Sequence, residues 1–371
     1  MIYLDNAATT RPDLSAVKAA AQFNESLYYN PSALYREGLS VRKELNAGRE
    51  FICRSLSSKH DLVFTSCGSE ADNQAIFGTA KRGAAITTAG EHAAVYKSFA
   101  ELKNRGIDVS FAPLKKDGSA DVDSLLRLVA DKKPGLVSVV HVNNETGAIN
   151  DIGRIAQEVK KIAPSCIFHS DGVQAYGKIK CPLPEAVDLY SVSAHKIGGL
   201  KGTGALFKKK GLHLPPLIYG GGQENEFRSG TENVFGIKVF EYAARARLEK
   251  IDENFLHVKR LNGIMRDKLR ETVQFISSEQ ASPYILTFSV HPIKGEVLLH
   301  SLEDCGIIVG NGSACSSKNR FSRVIEACGY PINAGVIRIS FSPENTEEEV
   351  SAAADRINEL VNRLAKIIKN R

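Results

Sequence analysis

The 371-residue chain lacks several features, and each absence excludes a class of protein. It has no run of about eighteen apolar residues, so no membrane-spanning helix is expected. Its start, Met1-Ile2-Tyr3-Leu4-Asp5, has no basic segment followed by an apolar one, so no export signal is expected. No two cysteines form Cys-x-x-Cys, which argues against a zinc ribbon or a thioredoxin-type site, and no metal site is expected. The seven cysteines (53, 67, 166, 181, 305, 315 and 328) are odd in number. They argue against a closed disulfide framework and for reduced thiols in the cytoplasm. The net charge of +6 is spread along the chain, with short runs at Lys208-Lys209-Lys210 and in the tail. No basic stripe carries the aromatic or motif support of a nucleic-acid surface. No internal repeat or low-complexity segment appears.

What is there is an ordinary soluble composition, 43% hydrophobic and 24% charged, long enough for two domains. Short apolar runs alternate with helical patterns between residues 62 and 192. Leu62-Val63-Phe64, 84–88, 107–111, 136–140, 166–169 and 189–192 read as strands. Ser69 to Ala80, with Ser69 as cap, and 93–104, 121–131 and 151–163 read as helices. This rhythm predicts a mostly parallel α/β sheet covered on both faces, with its ligand beyond the carboxyl ends of the strands. After residue 234 the pattern changes. One long helix over 237–272 is predicted, then strands at 285–290, 307–309 and 336–341, a helix at 294–305 and a last helix from Thr346. Thr346-Glu347-Glu348-Glu349 has the form of a capping box. The expected division is a large domain, 13–250, and a smaller α+β domain, 1–12 with 251–371.

Several short segments could carry chemistry. In Ser193-Ala194-His195-Lys196 a lysine follows a strand, a good place for an amine that forms Schiff bases, or for a solvated loop lysine. Asp171 should emerge at a strand end, where a carboxylate can pair with a protonated ring nitrogen or cap a helix. Thr65-Ser66-Cys67-Gly68-Ser69-Glu70 reads as strand, turn and helix start, an anion site built on backbone N–H groups. His92 lies between a strand and a helix, and an imidazole there can stack on a ring and move protons. Arg338, inside an apolar strand, needs a fixed anionic partner: a substrate carboxylate or an internal salt bridge. Cys315, in Gly312-Ser313-Ala314-Cys315-Ser316-Ser317, is set among small polar residues that favour an exposed loop, so it is the candidate nucleophile. Gly172-Val173-Gln174-Ala175-Tyr176-Gly177-Lys178 has the spacing of a nucleotide-binding loop. Ile179 follows it instead of the hydroxyl residue that would hold magnesium, so nucleotide binding is not expected.

Taken in order, these segments resemble the NifS/IscS-like cysteine desulfurases of the class V aminotransferase group. The resemblance covers essentially the whole chain. It rests on residues 3–10, Asn30-Pro31-Ser32, Phe64-Thr65-Ser66, Glu91-His92, 141–147, Ser193-Ala194-His195-Lys196, Arg228-Ser229-Gly230-Thr231, Gly312-Ser313-Ala314-Cys315 and Arg338. It implies a pyridoxal 5'-phosphate (PLP) transferase of fold type I. It further implies conversion of L-cysteine to L-alanine with the sulfur left on Cys315 as a persulfide. By this resemblance Lys196 carries the cofactor, His92 stacks on its ring, Asp171 pairs with the ring nitrogen and Gln174 meets the ring hydroxyl. Gly68, Ser69, Ser193 and His195 would hold the phosphate, and Thr231 would reach the phosphate of a second subunit in a homodimer. Asn144 and Arg338 would hold the substrate. The sulfur would pass to an acceptor protein, such as an iron–sulfur scaffold or a tRNA thiolation enzyme. A selenocysteine lyase or an aminotransferase on the same frame is the alternative. Tyr35, Cys67, Ser69 and Leu200 depart from the residues common in the family, which are histidine, glycine, threonine and proline respectively.

Overall fold

The computed structural model describes residues 1–80, 83–311, 322–331 and 333–369. The chain opens with β1 (Ile2–Tyr3), α1 (Leu14–Ser26), α2 (Arg36–Leu56), β2 (His60–Thr65) and α3 (Gly68–Thr79). An alternating stretch follows: β3 (Ala84–Thr88), α4 (Ala93–Asn104), β4 (Asp108–Ala112), α5 (Val122–Lys132), β5 (Leu136–Ser138), α6 (Ile152–Ile162) and β6 (Ile167–Asp171). Then come β7 (Leu189–Ser193), β8 (Gly204–Lys209), α7 (Val234–Glu249) and α8 (Ile251–Leu269). The remainder is β9 (Gln274–Phe275), β10 (Ile285–Ser289), α9 (Gly295–Glu303), β11 (Ile307–Ile308), α10 (Arg323–Ala327), β12 (Val336–Ser340) and α11 (Glu347–Lys369).

The main sheet has the order β2-β8-β7-β6-β5-β3-β4. Its strands β4, β3, β5, β6 and β7 run parallel, and β8 is antiparallel to both neighbours, β7 and β2. Near-continuous burial of β5 and β7 fits a sheet covered on both faces. The expected α/β architecture is therefore present. The parallel strands end on one edge, and Asp171, Ser193 and the turn after Thr65 all lie at strand ends.

A second apolar core is built by α8, β10, β12, α9 and α11 around Leu286, Phe288, Ile337, Ile339 and Ile357. Its antiparallel sheet has the order β12-β10-β9, and β1 pairs with β11 beside it. The last helix starts as predicted. Thr346 Oγ1 accepts from the Glu349 N–H at 3.2 Å, and Glu349 Oε2 accepts from the Thr346 N–H at 3.2 Å.

Two local expectations are corrected. The single helix over 237–272 is two helices broken at Lys250. The physical reason is packing: α7 buries Ile237, Phe240 and Ala244 in the first core, whereas α8 buries Val258, Leu261 and Met265 in the second. The cap of α3 is Cys67, whose Sγ accepts from the Glu70 N–H at 3.4 Å; Ser69 lies inside the first turn.

Candidate active site

Strand ends, helix starts and the N-terminal segment converge on one cavity of about 600 Å³. Gly68, Ser69, His92, Asn144, Asp171, Gln174, Ser193, His195, Lys196 and Arg338 all line it. Thr231 does not; it is exposed. Cys315 lies outside the described residues.

Lys196 sits in a single helical turn, Ala194–Lys196, which β7 delivers to the cavity. Its Nζ donates to the carbonyls of Ala7 and Ala8, both at 2.7 Å. Next to it the His195 ring meets Thr9 Oγ1 at 3.1 Å, and burial pushes that ring's pKa down to about 4. His195 is therefore a neutral ring at physiological pH, able to donate one hydrogen bond.

The turn before α3 is an anion cradle. A Cβ on Gly68 would lie 2.9 Å from Val173 Cγ2, so only glycine leaves that approach open. The helix start supplies N–H groups and the positive end of its dipole. Ser193 Oγ, beside Gly68, is buried with no hydrogen-bond partner. An orphaned hydroxyl next to a helix N-terminus fits a phosphoryl group that would accept from both.

On another wall, carboxylates and imidazoles crowd together. Ligand atoms of Asp72, His92 and Asp171 lie within 4.8 Å of one another. Asp171 accepts from the Val173 N–H at 2.9 Å, and burial raises its pKa while the charge of His92 lowers it. His92 caps α4 through Nδ1, at 3.2 Å from the Ala94 N–H; burial lowers its pKa and Asp171 opposes that shift. Asp72 Oδ1 stands 3.6 Å from His169 Nε2 and has no hydrogen-bond partner. Burial first, then the charge of Asp171, pushes Asp72 well above the usual carboxylate range. A carboxylate held at this depth beside a planar ring would keep a ring nitrogen protonated.

Arg338, from β12, reaches Asp5 at 2.8 Å and the Asn144 carbonyl at 2.9 Å. The internal salt bridge weighed from the sequence is thus present. The guanidinium still keeps Nε without a partner, and Asn144 Oδ1 is also unpartnered and buried. Both residues line the cavity, where a guanidinium donor suits a carboxylate and an amide oxygen suits an ammonium group.

Spacing in the sequence did not single out Asp72, Glu91, Glu145 or Arg323, which share the cavity. Glu145 accepts from Ser322 Oγ, and burial pushes its carboxyl up to about 7. Arg323 donates to the main-chain carbonyls of Ala89 and Glu91, and its guanidinium stacks 3.7 Å from the Tyr96 ring centroid. Asp72 was legible only as the residue one turn after Gly68, on the buried face of α3.

The sheet and cavity are those of a fold-type-I transferase, and comparison with known proteins agrees. The model of the family described as aminotransferase class-V matches residues 2–353. A NifS/IcsS protein homolog of Lactobacillus delbrueckii subsp. bulgaricus is 36% identical, and the match covers 99% of each chain. The cysteine desulfurase IscS of Dictyoglomus turgidum is 35% identical over 99% of this chain and 96% of its own. Among solved structures, a NifS-like protein superposes with a TM-score of 0.90 at 33% identity, covering 97% of this chain and 99% of that one. A structure described as SspA in complex with cysteine superposes at 0.81 and 25% identity, over 93% and 100%. The chain belongs to the class-V aminotransferase family, on its NifS/IscS cysteine desulfurase branch.

Proposed function

We propose that the protein is a PLP-dependent cysteine desulfurase that releases L-alanine from L-cysteine and takes the sulfur onto Cys315. The observation that carries this reading is the convergence on one cavity of Lys196, the Gly68 turn, Asp171 and Arg338. The orphaned Ser193 hydroxyl and the buried Asp171 carboxylate fit the two ends of the cofactor, its phosphate and its ring nitrogen.

When bound, PLP supplies an electron sink for bonds at the substrate α-carbon. The protein's own groups do the rest. Lys196 would hold the cofactor, and its amine is the group placed to move the substrate α-proton. Asp171 would hold a proton on the ring nitrogen, His92 would pack against the ring, and Gln174 would donate to the ring oxygen. Gly68, Ser69, Ser193 and His195 would bind the phosphate. Arg338 grips the substrate carboxylate and Asn144 the substrate beside it. The Cys315 thiolate attacks the substrate sulfur: the S–S bond forms as the substrate Cβ–S bond breaks, its electron pair stays on the carbon, which is protonated to give L-alanine, and Cys315 is left as the persulfide.

The same reading divides the chain into a cofactor domain, 13–250, and a smaller domain, 1–12 with 251–371, that carries Cys315. Two separate apolar cores support that division. An exposed Thr231 is available to a second subunit, in keeping with a homodimer. No helix among the described residues is long and apolar enough to cross a membrane. A cytoplasmic enzyme delivering sulfur to a scaffold or thiolation protein completes the proposal.

The test uses two variants with L-cysteine as substrate. Cys315→Ala should keep the cofactor's visible absorption but form little alanine and no persulfide. Lys196→Ala should lose the visible band. Unchanged desulfuration by Cys315→Ala would defeat the assignment, because the sulfur would then leave the substrate without this thiol.

A further inference from the structure

The turn that opens α3 holds a thiol. Of the described cysteines, Cys67 alone lines the cavity of about 600 Å³, together with Gly68, Ser69 and Ser193. It is half-buried, and its backbone is fixed. The Cys67 carbonyl accepts from Thr65 Oγ1 at 2.9 Å and from the Ala71 N–H at 3.2 Å. A Cβ on Gly204 of β8 would lie 2.6 Å from the Cys67 carbonyl carbon, so the neighbouring strand packs directly against the turn. The sulfur therefore has a set position at the start of the helix.

That position borders the place an anion would take. Cys67 Sγ accepts from the Glu70 N–H at 3.4 Å and from Ser66 Oγ at 3.8 Å. The N–H groups of Gly68 and Ser69 begin the helix and have no carbonyl one turn before them, so they are left for a ligand. A separate observation points to that ligand. Ser193 is 3% exposed, and its Oγ has no hydrogen-bond partner among the described residues. This hydroxyl oxygen lies 3.9 Å from where a Cβ of Gly68 would be. A buried hydroxyl in that state calls for a partner that the protein itself does not supply. The Cys67 thiol, the first N–H groups of α3 and the Ser193 hydroxyl thus border one small volume of the cavity. Val173 limits that volume, since a Cβ on Gly68 would already lie 2.9 Å from Val173 Cγ2.

We propose that Cys67 is a modification site for small disulfides, and that an adduct on its sulfur and the phosphate of the cofactor exclude each other. The inference rests on the reading of the Gly68 turn as the phosphate cradle. The step is a thiol–disulfide exchange. The Cys67 thiol loses its proton and attacks one sulfur of the disulfide. A new S–S bond forms on Sγ as the old one breaks, and the departing sulfur takes up the proton as a thiol. Cys67 is oxidised and the departing half is reduced; an excess of dithiothreitol runs the exchange backwards. The added sulfur lies about 2 Å from Sγ, with its substituent in the volume that the phosphate needs. Exclusion is reciprocal: bound phosphate shields the thiol, and the adduct blocks the phosphate.

The experiment uses the full chain with its cofactor bound, and the same chain freed of it with hydroxylamine. Both are treated with bis(2-hydroxyethyl) disulfide, which is small and uncharged, and the Cys67 peptide is followed by mass spectrometry. Cys67 should be modified readily in the cofactor-free chain. With PLP at about ten times its dissociation constant, the rate should fall about tenfold. Pyridoxal, which lacks the phosphate, should leave the rate unchanged. Cys305, exposed just after α9, should react alike in every sample. In the reverse order of addition, the modified chain should fail to regain the visible band with PLP until dithiothreitol is added. Cys67→Ser treated in the same way should regain it at once, since serine can cap α3 and cannot form the disulfide. The wild-type rates decide without the variant should it fold poorly. An untreated wild type without a visible band would overturn the reading of Lys196, and protection of Cys67 by PLP would still decide on the thiol. No modification of the cofactor-free chain, equal rates with and without PLP, equal protection by pyridoxal, or a modified chain that binds PLP as before would overturn the inference about Cys67 alone.

Discussion

Glu91 offers the sharpest test of how burial sets charge in this cavity. Its side chain is fully buried. Oε1 accepts from Thr88 Oγ1 at 2.6 Å and from the Val140 N–H at 3.0 Å, but Oε2 has no partner. Burial is the largest influence and pushes the carboxyl from its ordinary 4.5 up to about 8. A raised folded pKa favours the protonated folded state. The stability linked to this group is complete below about 4.5 and is lost as pH rises through about 8. The gap corresponds to about 5 kcal/mol at most, since local relaxation or water entry lowers the cost of the ion. Glu91→Gln keeps the acceptor at Oε1 and cannot ionise. Urea unfolding of both proteins from pH 5 to pH 9 should therefore show a crossover. The variant should match or fall slightly below the wild type at acid pH, and exceed it by several kcal/mol at alkaline pH. Infrared difference spectra should assign a protonated carboxyl band at neutral pH that the variant lacks. Stability curves that stay parallel across this range would refute the reasoning.

Other changes have equally definite outcomes. Glu224→Ala removes the carboxylate that holds Arg49 at 2.5 and 2.7 Å and the Phe64 N–H at 2.8 Å, so it should cost about 3–5 kcal/mol by urea unfolding. Gly172→Ala would place a Cβ 1.9 Å from Tyr190 Cζ, and the forced shift should cost about 1–3 kcal/mol, read as a lower Tm. Ser322→Ala removes a hydrogen bond that lowers the pKa of Glu145, so Glu145 should titrate above its present value of about 7. If Glu145 ionisation governs turnover, the pH–rate profile should move upward by a measurable fraction of a unit, and an unmoved profile would separate Glu145 from the rate.

Much of the frame was legible in the sequence because short apolar runs ended at polar residues with chemical meaning. Asp171 and Ser193 each close a strand, and both lie in the cavity. Other parts were hidden for physical reasons. The sequence reading left out the β8 strand Gly204–Lys209, whose last three residues include two lysines, and nothing local marks its antiparallel direction. The break at Lys250 carries no proline or glycine; it exists because α7 and α8 serve different cores. Burial of Lys178 and Asp72 is a tertiary property, so neither spacing nor composition separated them from surface charges. Lys178 even stood in a motif that suggested another ligand.

The N-terminal segment shows why residue-by-residue reading undervalued one element. Residues 3–10 entered the sequence argument only as a family signature. In the structure they are part of the machinery's frame. The Ala7 and Ala8 carbonyls fix Lys196 Nζ, Thr9 meets His195, and Asp5 holds Arg338. Thr10 Oγ1 donates to the His195 carbonyl at 2.9 Å and accepts from the Gly198 N–H at 2.8 Å, which closes the turn that carries the lysine. The same segment is bound to β12 through Ala7 N–H and Ser340 Oγ at 2.8 Å. It therefore ties the lysine turn on one core to the arginine strand on the other. The Ala7 and Ala8 carbonyls hold the amine whatever their side chains, whereas the tie to β12 also uses the Asp5 and Ser340 side chains. A displacement of β12 should be felt at Lys196 through these contacts, because residues 5–8 touch both.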